Sequence, residues 1–349
     1  MSFSLQVLPA LHGDALWLEY GHDSPHRVLI DGGPRSSITA SLVRELLLDD
    51  PSAVELIVVT HIDADHITGV LDVLRDAGVT LEPGDIWFNG WRHLPSDILG
   101  VEQGEELGRV IEKRRLPWNV AFNSGPVAVP DEGPLPSFQL PGGLTVIVLS
   151  PTRKELAALR PVWKREVEKA GLVPGIPAES PPEPSDLLGD ERLDLQELAN
   201  RPFSPDRSEA NGASIAMLAE FEQRSVLLTG DAHAGVLAVQ LGRLARERKV
   251  DRLPVDLVKL PHHGSRHNVS SELVDAVGCE RWVFSTNGSI YSHPDPEAVA
   301  RIVADRPGVE LIFNYRSGTT ERFDKTTLRR AHRYRVSYPA SGAGIRIDL

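Results

Sequence analysis

Residues 54–60 read VELIVVT, and the next six are His61-Ile62-Asp63-Ala64-Asp65-His66. No other feature constrains the fold of this chain as strongly. A strand with apolar side chains on both faces has to be covered on both sides, which places it inside a layered α/β structure. Four ligand-type side chains then follow at its C-terminal end, the edge at which α/β folds build their sites. Imidazole and carboxylate together suit zinc, manganese or iron. The plainer alternative is a helix start at which Asp63 and Asp65 act as caps and the histidines are incidental.

Three further strand ends repeat the pattern. Asp31-Gly32-Gly33 follows a short apolar run at 28–30, Gly230-Asp231 follows 225–229, and His262-His263-Gly264-Ser265 follows 255–260. Each alone reads equally as a turn, a cap or a packed pair. Four strand ends that all carry Asp or His point to a common metal centre. Ser265 and Asn287 lie close to these motifs in sequence, and His233 and His267 read as outlying.

The remaining periodicity predicts strands at 5–8, 15–18, 86–89, 144–149, 214–221, 281–285, 309–313 and 333–338. Helices are predicted at 37–48, 67–77, 102–113, 155–170, 235–248, 270–277 and 296–305. Residues 171–205, rich in proline and acidic side chains, read as an exposed insertion or mobile lid with a helical turn near 193–198. Strands followed by mixed β and α, twice over, predict one α/β domain across 1–349. Its architecture is an αββα sandwich of two mixed β-sheets flanked by helices, with a closing segment from about residue 300 that completes the second sheet.

Composition narrows the function. The chain has 349 residues, and its 49 acidic against 37 basic side chains give a net charge of −12. That charge argues against a general, sequence-blind grip on nucleic acid. The single cysteine, Cys279, excludes an internal disulfide or a cysteine-rich zinc site and suggests a reducing cytoplasmic compartment. No leader-type N-terminus and no long uncharged apolar stretch is visible, so no membrane partner is expected. The basic run Arg329-Arg330-Ala331-His332-Arg333-Tyr334-Arg335 reads either as a phosphate contact or as a solvated helix end. Arg114-Arg115 sits where a helix C-terminus favours positive charge.

In their order along the chain, Asp31-Gly32-Gly33, His61-x-Asp63-x-Asp65-His66, Gly230-Asp231 and His262-His263-Gly264 resemble the metallo-β-lactamase fold. More narrowly they resemble the branch that includes the hydrolase domain of the competence protein ComEC. Gly13-Asp14, Asn211-x-x-Ser214 and Ser292-His293-Pro294 match that branch as well. The resemblance implies two divalent metal ions, zinc or manganese. Asp65, His66 and one of His262 or His263 would hold one ion, His61 and Asp63 the other, and Asp231 would bridge them. Asp31 would accept a hydrogen bond from a ligand histidine. Asp65 and His293 complete the implied catalytic set, with His293 as proton donor to a leaving alkoxide or as a contact to a phosphate oxygen. Asp63 replaces the superfamily's second histidine, which shifts the expectation toward manganese. Between residues 67 and 210 the only histidine is His93, much nearer the first motif than the superfamily's usual third histidine. The implied activity is hydrolysis of a phosphodiester or nucleic acid by a metal-activated water, either alone or beside a protein partner in a multi-component system. The alternatives are a hydrolase of a small-molecule lactone, thioester or amide, and a non-catalytic scaffold.

Overall fold

The computed structural model describes residues 2–35, 37–49, 54–76, 78–79, 81–95, 105–172, 193–304, 306–341 and 344–349. Its strands are β1 (Ser2–Val7), β2 (Leu16–Gly21), β3 (His26–Ile30), β4 (Val54–Val58), β5 (Asp85–Trp87), β6 (Ser137–Gln139), β7 (Thr145–Ser150), β8 (Ala216–Phe221), β9 (Arg224–Leu228), β10 (Leu253–Pro254), β11 (Leu257–Lys259), β12 (Val277–Gly278), β13 (Arg281–Phe284), β14 (Glu310–Phe313), β15 (Arg335–Ser337) and β16 (Ile345–Asp348). Its helices are α1 (Ser37–Asp49), α2 (Ala64–Arg75), α3 (Glu106–Arg114), α4 (Arg153–Leu159), α5 (Trp163–Lys169), α6 (Leu195–Ala199), α7 (Glu209–Gly212), α8 (Ala234–Arg248), α9 (Ser271–Ala276), α10 (Pro296–Val303), α11 (Gly318–Glu321) and α12 (Thr326–His332).

Two mixed sheets result. The first has the order β16-β1-β2-β3-β4-β5, antiparallel as far as β3 and parallel from β3 to β5. The second has the order β15-β14-β13-β11-β9-β8-β7-β6, antiparallel from β6 to β9 and parallel from β9 to β15. The switch follows from the connections. Short turns join β2 to β3 and β8 to β9, which suits antiparallel pairing, whereas a parallel neighbour needs a crossover. Helices α1, α2, α8, α9 and α10 supply those crossovers.

Alternation along β4 shows why that strand is apolar on both faces. Leu56 and Val58 join a core shared with the second sheet, including Leu218 and Leu227. Ile57 and Val59 join a separate core with Ile67, Val70, Leu71 and Leu74 of α2. One face of the sheet therefore meets the other sheet and the opposite face meets helices. The C-terminal ends of β3, β4, β9 and β11 lead directly into Asp31, His61, Asp231 and His262.

Several expectations are corrected. The helix predicted over 155–170 is two helices, α4 and α5, separated by a 3₁₀ turn at Arg160–Val162. Pro161 in that turn has no N–H to continue the ladder. The C-terminal segment divides between the sheets: β14 and β15 extend the second, while β16 crosses back to pair with β1 of the first. Within the proposed insertion, residues 173–192 lie outside the described residues. The described remainder is anchored rather than exposed throughout, because Leu195 and Leu198 of α6 are buried in the main core.

Candidate metal centre

The loops after β4, β9 and β11 bring their side chains to one point. Among the described residues, the ligand atoms of His61, His66 and Asp231 all lie within 4.8 Å of one another, and so do those of Asp65, His66 and His263. Asp231 is central. Its Oδ2 lies 3.4 Å from His66 Nε2, 3.9 Å from His61 Nε2, 3.8 Å from His262 Nε2 and 3.8 Å from His263 Nε2. Asp65 Oδ2 lies 3.7 Å from His263 Nε2 and 3.9 Å from His66 Nε2, and Asp63 Oδ2 lies 3.6 Å from His61 Nε2. These separations are too long for hydrogen bonds. They are close to the spacing of about 3.3–3.5 Å between ligands that share one tetrahedral ion.

Hydrogen bonds on the far side of each ring decide which nitrogen carries the proton. His66 Nδ1 is 2.7 Å from Asp31 Oδ2, a carboxylate that can only accept. His263 Nδ1 is 2.8 Å from the carbonyl oxygen of Ser285, which also only accepts. Thr60 Oγ1 donates its proton to Asp31 Oδ2 at 2.8 Å, so at 3.0 Å it accepts from His61 Nδ1. Asn268 directs its amide N–H groups to Asp206 Oδ2 and the Asp231 carbonyl, which leaves its Oδ1 to accept from His262 Nδ1 at 3.0 Å. His61, His66 and His263 thus turn Nε2 to the centre, as metal ligands do, whereas His262 Nδ1 also lies 3.3 Å from the Asn211 amide nitrogen, which can only donate. The Nε2 atoms of His61, His66 and His263, and Asp231 Oδ1, are buried without a hydrogen-bond partner. A bound cation would satisfy that set, so the residues fit a metal.

The electrostatics set the cluster's carboxylates against its rings, where a cation would take the place of the protons that His66 and His263 otherwise favour. Burial opposes charge on Asp231, but His66, His263 and His262 outweigh it and hold the carboxyl well below its usual range. Burial is likewise outweighed at Asp65 by His66 and His263. His263 is raised to about 9, because Asp231 and Asp14 more than offset its burial. His66 is raised well above its ordinary value by Asp231, Asp31 and Asp65 against burial.

Local backbone is adapted to the site. His262 and His263 both have left-handed φ, 47° and 56°, and Asp31 has φ of 58°. Such conformations cost non-glycine residues roughly 1–3 kcal/mol each and cluster at functional sites. Asp63 stands at the N-cap of α2 yet makes no side-chain cap hydrogen bond. Its carboxylate faces His61 instead, against the plain capping alternative.

His293 lies outside the tight cluster, with its ring centre 5.4 Å from that of His262 and its Nδ1 3.5 Å from Asp295 Oδ2. Burial lowers its pKa, partly countered by Asp295. The half-exposed Tyr291 stacks on it at 5.8 Å. His93 is elsewhere: its Nδ1 accepts from the Gly90 N–H at 3.2 Å and its ring packs edge-on against Trp118. His233 and His267 donate to the carbonyls of Ser208 and Ser204. Arg329 pairs with Asp324 and Arg335 with Glu310, so part of the basic run is already neutralised. Arg114 donates to the carbonyls of Leu74 and Val79.

Asp14 and Lys259 escaped sequence reasoning as site residues. Asp14 Oδ1 lies 3.4 Å from His263 Nδ1, and Lys259 is paired with Asp14. The only available signal was Gly13-Asp14 as a flanking motif. Asn268 and Thr60 gave none.

No family model matches the chain, and no curated protein matches it. Solved structures that match include the diiron β-hydroxylase CmlA from Streptomyces venezuelae, at 14% identity with a TM-score of 0.41, and a variant of CmlA at 14% with a TM-score of 0.43. Each match covers 100% of this chain, which spans only 54% of the CmlA chain. The metallo-β-lactamase MIM-1 from Novosphingobium pentaromativorans matches at 15% identity over 87% of this chain and 89% of its own, with a TM-score of 0.31. Among the described residues, no helix is long and apolar enough to cross a membrane.

Proposed function

We propose that this chain is a metal-dependent hydrolase with a binuclear divalent centre, acting on phosphodiester bonds of a nucleotide or nucleic acid. The observation that carries this reading is the convergence of imidazole Nε2 atoms on Asp231, with the Nδ1 side of His61, His66 and His263 each held by an acceptor. Asp65, His66 and His263 would hold one ion, His61 and Asp63 the other, and Asp231 would face both. Paired divalent ions lower the pKa of a water and brace the entering and leaving oxygens of a phosphoryl group.

The rest of the chemistry falls to the chain itself. Asp31, Thr60 and the Ser285 carbonyl keep the rings of His66, His61 and His263 aimed as donors. Asp65 and Asp231 are ionised at neutral pH, so they accept and do not donate protons. His293, beside His262 and kept neutral by burial, is placed to donate a ring N–H hydrogen bond to a phosphate or leaving oxygen. The mixed imidazole and carboxylate donor set suits manganese or zinc. The choice of phosphodiesters is supported by a motif order that resembles that of the ComEC-like branch. An intact donor set weighs against a scaffold that has lost its chemistry.

The test is a substrate panel with added Mn²⁺ or Zn²⁺. It comprises bis(4-nitrophenyl) phosphate, single-stranded and duplex DNA, a lactone, a thioester and an amide. Metal-dependent phosphodiester cleavage that falls at least a thousandfold in Asp231→Ala is expected. Turnover of only the lactone, thioester or amide, or of nothing, would overturn the assignment.

A further inference from the structure

Lys259 plays no part in the reading above, yet its side chain is 0% exposed. A buried ammonium keeps its charge only when it is paired. Its partner is Asp14, also buried, and its Nζ lies 3.5 Å from the Gly230 carbonyl next to Asp231. The pair joins the two sheets, because Lys259 ends β11 and Asp14 precedes β2. Its backbone is pinned as well: the Lys259 carbonyl accepts from Thr229 Oγ1 at 2.7 Å. Asp14 turns its second oxygen to His263 Nδ1, 3.4 Å away. Gly13 lets this loop sit against the metal motif, since a Cβ there would lie 1.8 Å from the Asp65 carbonyl oxygen.

Around this pair the centre is crowded with negative charge. Asp31, Asp63, Asp65 and Asp231 stand within 4 Å of its imidazole nitrogens, and Asp206 lies at its more open edge, 3.8 Å from His262 Nδ1. In a low-dielectric interior a charge one residue away from the ligands acts strongly on an incoming dication. We propose that Lys259 is a fixed counter-charge of this centre, whose positive charge, set against that of Asp14, limits the affinity of the second divalent ion without the ammonium touching metal or substrate. Lys259 thus acts by charge and is not a ligand, whereas Asp14 lies within 4.8 Å of ligand atoms of Asp231 and His263; the proposal rests on the binuclear reading.

Opposite signs make it testable. Removing the positive charge strengthens attraction for the second ion, and removing the negative charge weakens it. Mn²⁺ titrations of the full chain, read by calorimetry and by metal content after dialysis, would compare Lys259→Met, Asp14→Asn and the double variant. The second Mn²⁺ should bind about tenfold or more tightly in Lys259→Met and about tenfold or more weakly in Asp14→Asn. The double variant should return close to the parent. Where Lys259→Met does not fold, recovery from Asp14→Asn to the double variant decides. Weakening in both single variants, or no recovery in the double, would leave Lys259 a structural residue and overturn the proposal while the binuclear reading stands. A parent chain that binds no Mn²⁺ would overturn both.

Discussion

Each ligand imidazole depends on one acceptor behind it, and this can be tested residue by residue. Asp31 accepts a hydrogen bond from His66 Nδ1 and also accepts from the Thr60 N–H and hydroxyl at 2.8 Å each. Asp31→Asn should lower affinity for Mn²⁺ or Zn²⁺ by about 10–100-fold while the fold survives, measured by competition with a chelating dye. His93 makes a different prediction. Burial and the nearby Arg92 lower its pKa to about 4, against an unfolded value near 6.5. Between those values the unfolded chain binds the extra proton, so this residue's share of stability is intact above pH 6.5 and lost as pH falls toward 4. The full loss is about 3 kcal/mol. Urea midpoints of His93→Asn should therefore fall less steeply between pH 7 and pH 4.5 than those of the parent. The ligand-type residues themselves were legible because they crowd into short motifs at strand ends. Lys259 and Asp14 were not, because 245 positions separate them and a lysine ending a strand looks like any solvated end.

At the scale of elements, close approach matters more than propensity. Gly69 lies inside α2, where alanine normally stabilises a helix by up to about 1 kcal/mol. Here a Cβ on Gly69 would meet the Gly32 carbonyl oxygen at 1.9 Å, where α2 abuts the loop after β3. Gly69→Ala should reverse the usual sign and lower the melting temperature, and it should weaken metal uptake because α2 carries Asp65 and His66. Strands with strong apolar runs, such as β4 and β7, were readable from the sequence. β6 and β16 were not, since each is short and mostly exposed. The break between α4 and α5 needed only Pro161 to be given its steric weight.

Over the whole molecule, two sheets each pass from antiparallel to parallel strands, and the centre lies where their C-terminal strand ends meet. The doubled strand pattern made this layering legible. The return of β16 to the first sheet was not, because pairing across more than three hundred residues leaves no local mark. Deleting residues 344–349 removes one of the two strands paired with β1 and should lower the melting temperature by several degrees, measured by calorimetry. The central claim is that this junction is a binuclear metal centre. Elemental mass spectrometry of the purified, Mn²⁺- or Zn²⁺-reconstituted chain tests it most directly, with Asp231→Ala and His66→Ala alongside. The account predicts close to two equivalents of metal per chain in the parent and clear loss in both variants. A parent chain that takes up no stoichiometric divalent metal would contradict it.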